Sequence, residues 1–129
     1  MTTVRDVMHT DLVSVDPTAM SIEAAQAMSS AKVGSALVVQ GGALVGIFTE
    51  RDIMRAFQLD TADHVRVSPV SRWMTADPVT IEPDASVGDA LDRMLDGGFR
   101  HLPVVEGGDL VGVVSMRDLA RSISKVDVP

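Results

Sequence analysis

Two short stretches of this chain place a hydroxyl, an arginine and a carboxylate at the same spacing. They read Gly46-Ile47-Phe48-Thr49-Glu50-Arg51-Asp52 and Gly112-Val113-Val114-Ser115-Met116-Arg117-Asp118. A strand that ends at a helix start presents free backbone N–H groups and the positive end of the helix dipole, which suits a phosphate. The hydroxyl and arginine would add phosphate contacts, and the carboxylate would accept two hydrogen bonds from a ribose 2′,3′-diol. If a ligand binds at these positions, this pair of contacts selects a nucleotide.

The same residues also have a purely structural interpretation. Thr49 with Asp52, and Ser115 with Asp118, match the Ser/Thr-x-x-acid box that caps helix starts. Taken alone, this spacing favours capping over ligand binding. The residues by themselves leave both interpretations open.

Both stretches belong to a longer internal repeat. Residues 4–57 recur as residues 70–123 at a constant offset of 66 residues, with no gap. A fixed period that keeps turn glycines and charged pairs in register indicates two copies of one module, each burying the other's apolar face. We therefore predict one compact domain with pseudo-twofold symmetry: repeat 1 at residues 1–60, a linker at 61–69 and repeat 2 at 70–129.

Each copy predicts the element order β-α-β-β-α, which is an α/β (α+β) fold. Helical spacing of apolar residues, capping residues and Gly-Gly turns mark the boundaries. The predicted elements are a strand at 12–15, a helix at 21–31, a hairpin of strands at 36–39 and 43–48, a helix at 50–58, a strand at 79–81, a helix at 86–96, a hairpin around Gly107-Gly108 and a helix at 116–124.

Composition excludes several classes of function. The net charge is −7, with 18 acidic against 11 basic residues, so the chain repels polyanions, and we expect no nucleic-acid partner. The chain has no cysteine, which excludes thiol chemistry and suits a cytoplasmic location. No apolar run approaches the roughly 20 residues that a membrane-spanning helix needs, so we expect a soluble protein without a membrane partner.

The repeated motifs resemble tandem cystathionine-β-synthase (CBS) domains, the pair known as a Bateman module. The resemblance rests on the paired Gly-x-x-Ser/Thr-x-x-Asp stretches, on Arg100-His101-Leu102-Pro103 and on Gly-Gly-x-Leu-Val-Gly in both copies. It covers the chain from Val4 to about Ile123. Members of that family bind AMP, ADP, ATP or S-adenosylmethionine in clefts between the two copies and usually regulate an attached or partner protein.

The resemblance also implies which residues line each cleft. The first cleft would use Ile47, Thr49, Arg51 and Asp52 with Thr75, Ala76, Asp77, Pro78, Val79, Thr80 and Arg100. The second would use Val113, Ser115, Arg117 and Asp118 with Thr10, Asp11, Leu12, Val13, Ser14, Lys32, Val33 and Gly34. Copy one has Gly34 where copy two has Arg100, so the clefts are not equivalent. We favour the Asp52 cleft for a phosphorylated ligand.

Other reactive side chains have simpler explanations. His9, His64 and His101 lack metal-ligand spacing and are expected at the surface or in packing, and the eight methionines are expected as core fillers. The charges of Arg55 and Arg121 could serve a phosphate or the acidic residue three positions earlier, and pairing with the acidic residue is favoured. No base, nucleophile or metal cluster accompanies either cleft, which disfavours an enzyme.

The sequence therefore predicts a stand-alone sensor that needs no cofactor, binds an adenosine ligand and reports to a partner protein. We also predict a homodimer, formed by helix faces that carry Ile22, Ala25, Met28, Val87, Leu91 and Met94. The alternative is a dimerisation or interaction module whose clefts stay empty.

Overall fold

The computed structural model describes residues 1–126, so positions 127–129 of the predicted second repeat lie outside the described residues. The chain divides into two compact units. The first-repeat unit is Leu12–Pro78, and the second-repeat unit combines Met1–Asp11 with Val79–Pro129. The predicted mixed α/β fold with two repeats is confirmed. The unit boundaries differ from the repeat boundaries. Residues 70–78, which open the second repeat, belong to the first-repeat unit, and residues 1–11, which open the first repeat, belong to the second-repeat unit.

Six α-helices, one 3-10 helix and six strands make up the described chain. In chain order they are α1 (Val4–Val7), β1 (Ser14–Val15), α2 (Ser21–Ala31), β2 (Ser35–Gln40), β3 (Ala43–Thr49), α3 (Glu50–Leu59), α4 (Ala62–Val67), the 3-10 helix (Val70–Arg72), β4 (Thr75–Ala76), α5 (Val87–Gly97), β5 (His101–Glu106), β6 (Asp109–Ser115) and α6 (Met116–Val126).

The first-repeat unit contains a four-stranded sheet in the order β1-β2-β3-β4. β1 runs parallel to β2, and the other neighbouring strands are antiparallel. The strand predicted at 12–15 is shorter than expected, since only Ser14–Val15 pair as a strand. Phe48 is fully buried in the core of this unit, together with Ala24, Met28 and Trp73.

The segment predicted as a linker, 61–69, contains helix α4. Thr61 caps this helix by accepting a hydrogen bond from His64 N, and Val65 is buried in the core. Ser68 then accepts hydrogen bonds from two parts of the unit, from Trp73 Nε1 at its hydroxyl and from Ser21 Oγ at its carbonyl. The segment is therefore packed into the first-repeat unit.

The second-repeat unit contains an antiparallel pair of strands, β5 and β6. The strand predicted at 79–81 does not form within residues 1–126; Ile81 makes a single parallel bridge to Val104 instead. Pro78 and Pro83 flank this run and have no backbone N–H, so they limit its pairing. The predicted helix after it is confirmed as α5, with Ser86 accepting from Asp89 N at its start.

Both hairpins turn through a Gly-Gly pair, as predicted. Gly41 and Gly42 have φ of +59° and +80°, and Gly107 and Gly108 have φ of +58° and +87°. These left-handed values cost a residue with a side chain more than they cost glycine. The turns therefore fix the register of β2 with β3 and of β5 with β6.

Helix α1 and the residues after it are held within the second-repeat unit. Val4 is fully buried, and its N–H donates to Ala85 O at 2.9 Å. His9 forms two backbone hydrogen bonds with Val113, at 2.9 and 3.0 Å. Gly112 allows this approach, since a Cβ there would lie 2.9 Å from His9 O. The start of the chain is thus an integral part of this unit.

The interpretation of the methionines as core fillers is confirmed for Met28 and Met94 and wrong for Met1, Met20 and Met54, which are 99%, 39% and 65% exposed. Met28 is 3% exposed and Met94 is 1% exposed, each within the core of its own unit. The prediction that they belong to a dimer face was therefore wrong. In α2 the buried side includes Ala24, while Ile22 and Ala25 are only partly buried.

Candidate functional site

Thr49 and Asp52 form a complete capping box at the start of α3. Asp52 N donates to Thr49 Oγ1 at 3.3 Å. In return, Thr49 N and Thr49 Oγ1 donate to Asp52 Oδ2 at 2.9 and 3.1 Å. The structural interpretation of this motif is therefore confirmed, and Oδ2 is committed to the helix start.

The start of α6 repeats this arrangement with Ser115 and Asp118. Asp118 N donates to Ser115 Oγ at 3.2 Å, while Ser115 N and Ser115 Oγ each donate to Asp118 Oδ2 at 2.8 Å. Both carboxylates are buried, with Asp52 3% and Asp118 7% exposed. In each repeat, capping leaves the other oxygen, Oδ1, as the atom that could accept from a ligand.

Asp52 Oδ1 is bonded to Arg55. Arg55 Nη2 donates to Asp52 Oδ1 at 3.1 Å and to Trp73 O at 2.8 Å, so the predicted pairing of this arginine is confirmed. Burial raises the pKa of Asp52 above its usual value, and this shift is opposed by the Thr49 hydrogen bonds and by the charges of Arg55 and Arg51. The first helix start therefore combines a partly desolvated carboxyl with a fixed positive charge.

Asp118 Oδ1 has a different partner, His9. His9 Nε2 lies 2.8 Å from Asp118 Oδ1, and the His9 side chain is 52% exposed. The sequence reasoning missed this contact because it assigned His9 to the surface or to packing. The one available signal was the asymmetry of the repeat, since Thr75 stands at the position equivalent to His9.

An open cleft of about 380 Å³ lies beside this pair, within the second-repeat unit. Its lining comes from the α1 segment and from one face of α6: Thr2, Asp6, Val7, His9, Asp118, Arg121 and Ser122. The lining includes the apolar Val7 and charged side chains of both signs, Asp6, Asp118 and Arg121. It gives solvent and small molecules access to the exposed edge of the His9–Asp118 pair.

The structure brings together part of the first predicted cleft. β4 pairs with β3 through Thr75 opposite Ile47, on the strand that leads to Thr49. Thr75, Ala76 and Asp77 are exposed, and Pro78 ends the same unit. Three predicted members belong to the second-repeat unit instead: Val79, Thr80 and Arg100.

The second predicted cleft is also divided between the units. Val113, Ser115, Arg117 and Asp118 lie in the second-repeat unit with Thr10 and Asp11, whereas Leu12, Val13, Ser14, Lys32, Val33 and Gly34 lie in the first-repeat unit. Gly34 O accepts from Glu50 N at 3.2 Å, and Arg100 O accepts from Met116 N at 2.8 Å. Each of these two residues thus adjoins the helix start of its own repeat. The pairing of Arg100 with Asp52 stays a prediction.

Within residues 1–126, no group of three or more His, Asp or Glu side chains is arranged to hold a metal ion. None of the helices described there has the length and apolar character to cross a bilayer.

Comparison with known proteins identifies the family. The CBS domain model matches residues 4–59 and 70–125. The CBS domain-containing protein YhcV of Bacillus subtilis is 37% identical over 120 residues, which are 93% of this chain and 84% of that protein. A CBS-domain containing protein of Agrobacterium tumefaciens has a crystal structure with a TM-score of 0.88 at 32% identity, over 95% of this chain and 99% of that one. The chain belongs to the CBS domain family, as a pair of CBS domains.

Two solved structures with the same fold contain adenosine compounds. A CBS domain pair in complex with 5′-methylthioadenosine and S-adenosylmethionine matches with a TM-score of 0.88 at 23% identity, over 98% of this chain and 99% of that chain. CBSX2 in complex with AMP matches with a TM-score of 0.81 at 24% identity, over 98% of each chain. At these identities the likeness establishes the fold.

Proposed function

We propose that this protein is a stand-alone regulatory sensor that binds an adenosine-containing nucleotide, such as AMP, ADP, ATP or S-adenosylmethionine, and reports its occupancy to a partner protein. The observation that carries the proposal is the repeated helix start, where a hydroxyl cap and a buried carboxylate coincide in both repeats. The cytoplasmic location predicted from the sequence stays a prediction.

The chemistry of these helix starts suits a nucleotide. The N-terminal ends of α3 and α6 favour anionic groups, and the side chains of Arg51 and Arg117 are exposed one position before each carboxylate. Asp52 Oδ1 and Asp118 Oδ1 are the acceptors that capping leaves for a ribose diol. The adenosine complexes of other CBS pairs support the proposal, because they show that this fold accommodates such ligands.

Calorimetric titration with AMP, ADP, ATP, S-adenosylmethionine and NADH tests the proposal, with thermal melting as a second readout. We expect at least one ligand to bind and to raise the melting temperature, since a ligand at about 100 times its Kd stabilises the folded state by about 2.7 kcal/mol. Adenosine is titrated as well, with 2′,3′-dideoxyadenosine as its matched control, because the dideoxy compound lacks the diol. Flat heats and unchanged melting with every ligand would overturn the proposal.

We propose further that the protein has no catalytic activity. The relatives reported above carry CBS names and no enzyme name. Incubation with ATP, followed by chromatography of the nucleotides, tests this point. Turnover that scales with protein concentration and is lost in Asp52→Asn or Asp118→Asn would contradict it.

We also propose a homodimer, with an interface that differs from the one predicted from the sequence. Phe57 on α3 and Ile123 on α6 occupy equivalent positions of the repeat and are 52% and 53% exposed. Met54 and Leu95 are also exposed, at 65% and 64%. Exposed apolar side chains at repeated positions suit a self-complementary contact with a second copy. Light scattering at micromolar concentration should give a dimer mass; a monomer with and without ligand would contradict this proposal.

The alternative is a dimerisation or interaction module that binds no nucleotide. One observation favours it: Arg55 and His9 already bond to the two oxygens that a diol would need. Under this alternative, the dimer forms while every ligand of the panel gives flat titration heats. The same two measurements therefore separate the two functions.

A further inference from the structure

The two carboxylates differ in the group that bonds to Oδ1. Asp52 Oδ1 is bonded to an arginine three positions later on its own helix, whereas Asp118 Oδ1 is bonded to a histidine from the start of the chain. An arginine keeps its charge throughout the physiological pH range. Histidine is the side chain whose charge most readily changes within the physiological pH range. Equivalent positions of the repeat thus have partners with different responses to pH.

We propose that His9 gates the Asp118 site by protonation, so that a cis-diol ligand binds there more weakly as the pH falls. This inference rests on the proposed function, because it concerns a diol ligand at the same carboxylate. His9 is a positioning residue in this scheme, since it controls whether Asp118 Oδ1 is available.

The diol and His9 compete for one oxygen of Asp118. Asp118 Oδ2 already accepts two hydrogen bonds, both from Ser115. Each carboxylate oxygen has about two acceptor positions, so Oδ2 is fully used. A 2′,3′-diol that donates both of its hydroxyls to Asp118 must therefore use Oδ1. His9 then has to leave Oδ1.

The surroundings of His9 allow it to leave. Its side chain is 52% exposed, whereas the side chain of Asp118 is 6% exposed. The cleft of about 380 Å³ lies beside the pair and gives the imidazole space to turn away. The charged groups that face this cleft with His9 are Asp6 from α1, and Asp118 and Arg121 from α6.

Charge determines how strongly His9 competes. A protonated imidazole forms a charge-assisted hydrogen bond with a carboxylate, which is roughly twice as strong as a bond between neutral groups. A neutral imidazole is displaced more easily. Lowering the pH therefore favours the His9–Asp118 pair over the diol, while Arg55 at Asp52 gives no such change.

Adenosine is the probe, because it contains the diol and no phosphate that titrates. Asp52→Asn isolates the Asp118 site, and asparagine retains an oxygen that can accept at the helix start. We expect the adenosine Kd of this variant to rise about fivefold to tenfold between pH 7.5 and pH 5.5, as loss of about 1 to 1.4 kcal/mol implies. The reciprocal variant, Asp118→Asn, should give a flat profile over the same range.

Adding His9→Gln to the Asp52→Asn variant should flatten the profile, because glutamine has no charge change in this range. His64→Gln is the matched control, since His64 is an exposed histidine on α4 paired with Asp60, and it should keep the pH dependence. Calorimetry in buffers of different ionisation enthalpy gives a second readout. Adenosine binding near pH 6 should release protons, and His9→Gln should abolish the release.

The outcomes separate the two proposals. If adenosine binds but the profile is flat, or is unchanged by His9→Gln, the His9 gate is wrong and the proposed function stands. If neither adenosine nor any nucleotide binds at any pH, both proposals are overturned. Circular dichroism of each variant at both pH values checks that a change in affinity is not a loss of fold.

Discussion

The change Asp52→Ala tests how one carboxylate serves both the fold and the proposed ligand. In the folded protein this carboxylate accepts from Thr49 N, Thr49 Oγ1 and Arg55 Nη2. Alanine keeps the helix but removes all three hydrogen bonds. It also removes the oxygen that we propose for the ribose.

The expected loss of stability follows from these contacts. Loss of a helix cap costs about 0.5–2 kcal/mol, and hydrogen bonds to charged groups contribute about 1.5–3 kcal/mol. Burial raises the pKa of Asp52, which means that desolvation of the ionised carboxylate already offsets part of that gain. We therefore expect a net loss of about 1–2 kcal/mol. Against a typical domain stability of about 5–15 kcal/mol, the variant should remain folded.

The expected loss of binding is larger. Removing hydrogen bonds to a carboxylate should cost about 1.5–3 kcal/mol, which is about tenfold to a hundredfold in affinity for AMP. Asp118→Ala is the matched variant, and we expect it to lose less, because the predicted Asp52 cleft includes Arg100. Urea denaturation measures the free energy of unfolding, and calorimetric titration at pH 7.5 measures the Kd.

Two results would refute this reasoning. An equal or larger loss of AMP affinity in Asp118→Ala would show that the phosphorylated ligand prefers the other helix start. A folded Asp52→Ala variant that binds AMP as tightly as the original protein would show that this carboxylate does not contact the ligand.

Three further predictions concern stability. Val4→Ala should lower the free energy of unfolding by about 2 kcal/mol in urea denaturation, because Val4 is fully buried, whereas Val67→Ala at a 63% exposed site should have little effect; equal losses would contradict the packing of α1. Gly46→Ala should be destabilising, because the Met74 side chain and the backbone of β4 at Thr75 O would both have to move away from the new Cβ, whereas Gly88→Ala, whose nearest neighbour is at 3.7 Å, should stabilise α5 by about 0.5–1 kcal/mol on thermal melting. Burial raises the pKa of Asp52, so the folded state binds this proton more tightly than the unfolded state, and the resulting stability is present at low pH and lost as the pH rises through the raised pKa. The free energy of unfolding of the original protein, measured relative to that of Asp52→Asn, should therefore fall as the pH rises from about 4. A difference between the two proteins that stays constant with pH would contradict the raised pKa.

Local signals predicted the elements that depend on local chemistry. The Gly-Gly turns, the Ser86 cap of α5 and the capping boxes at Thr49 and Ser115 were all predicted, since each depends on residues within four positions of one another. The packing of 61–69 depends instead on Ser68, which accepts from Ser21 across 47 residues. A polar composition gives no sign of such a contact.

The partner of Asp118 shows the same limit within the candidate site. His9 and Asp118 are 109 residues apart, and they meet because the His9 backbone bonds to Val113 on β6. No spacing rule connects these positions. The repeat gave only an indirect signal, because Thr75 stands at the position equivalent to His9 in the other copy.

The division of the chain has a consequence for its synthesis on the ribosome. The first-repeat unit is one continuous segment, Leu12–Pro78, which can fold as soon as Pro78 emerges. The second-repeat unit needs residues from both sides of that segment, so Val4 and His9 must wait until β6 has been made. At the usual speed of translation, about 100 further residues take roughly 5 to 20 seconds. In the last part of that interval, after Pro78 has emerged, residues 1–11 and the newly made residues after 78 still lack each other as partners, and both are open to chaperones and proteases.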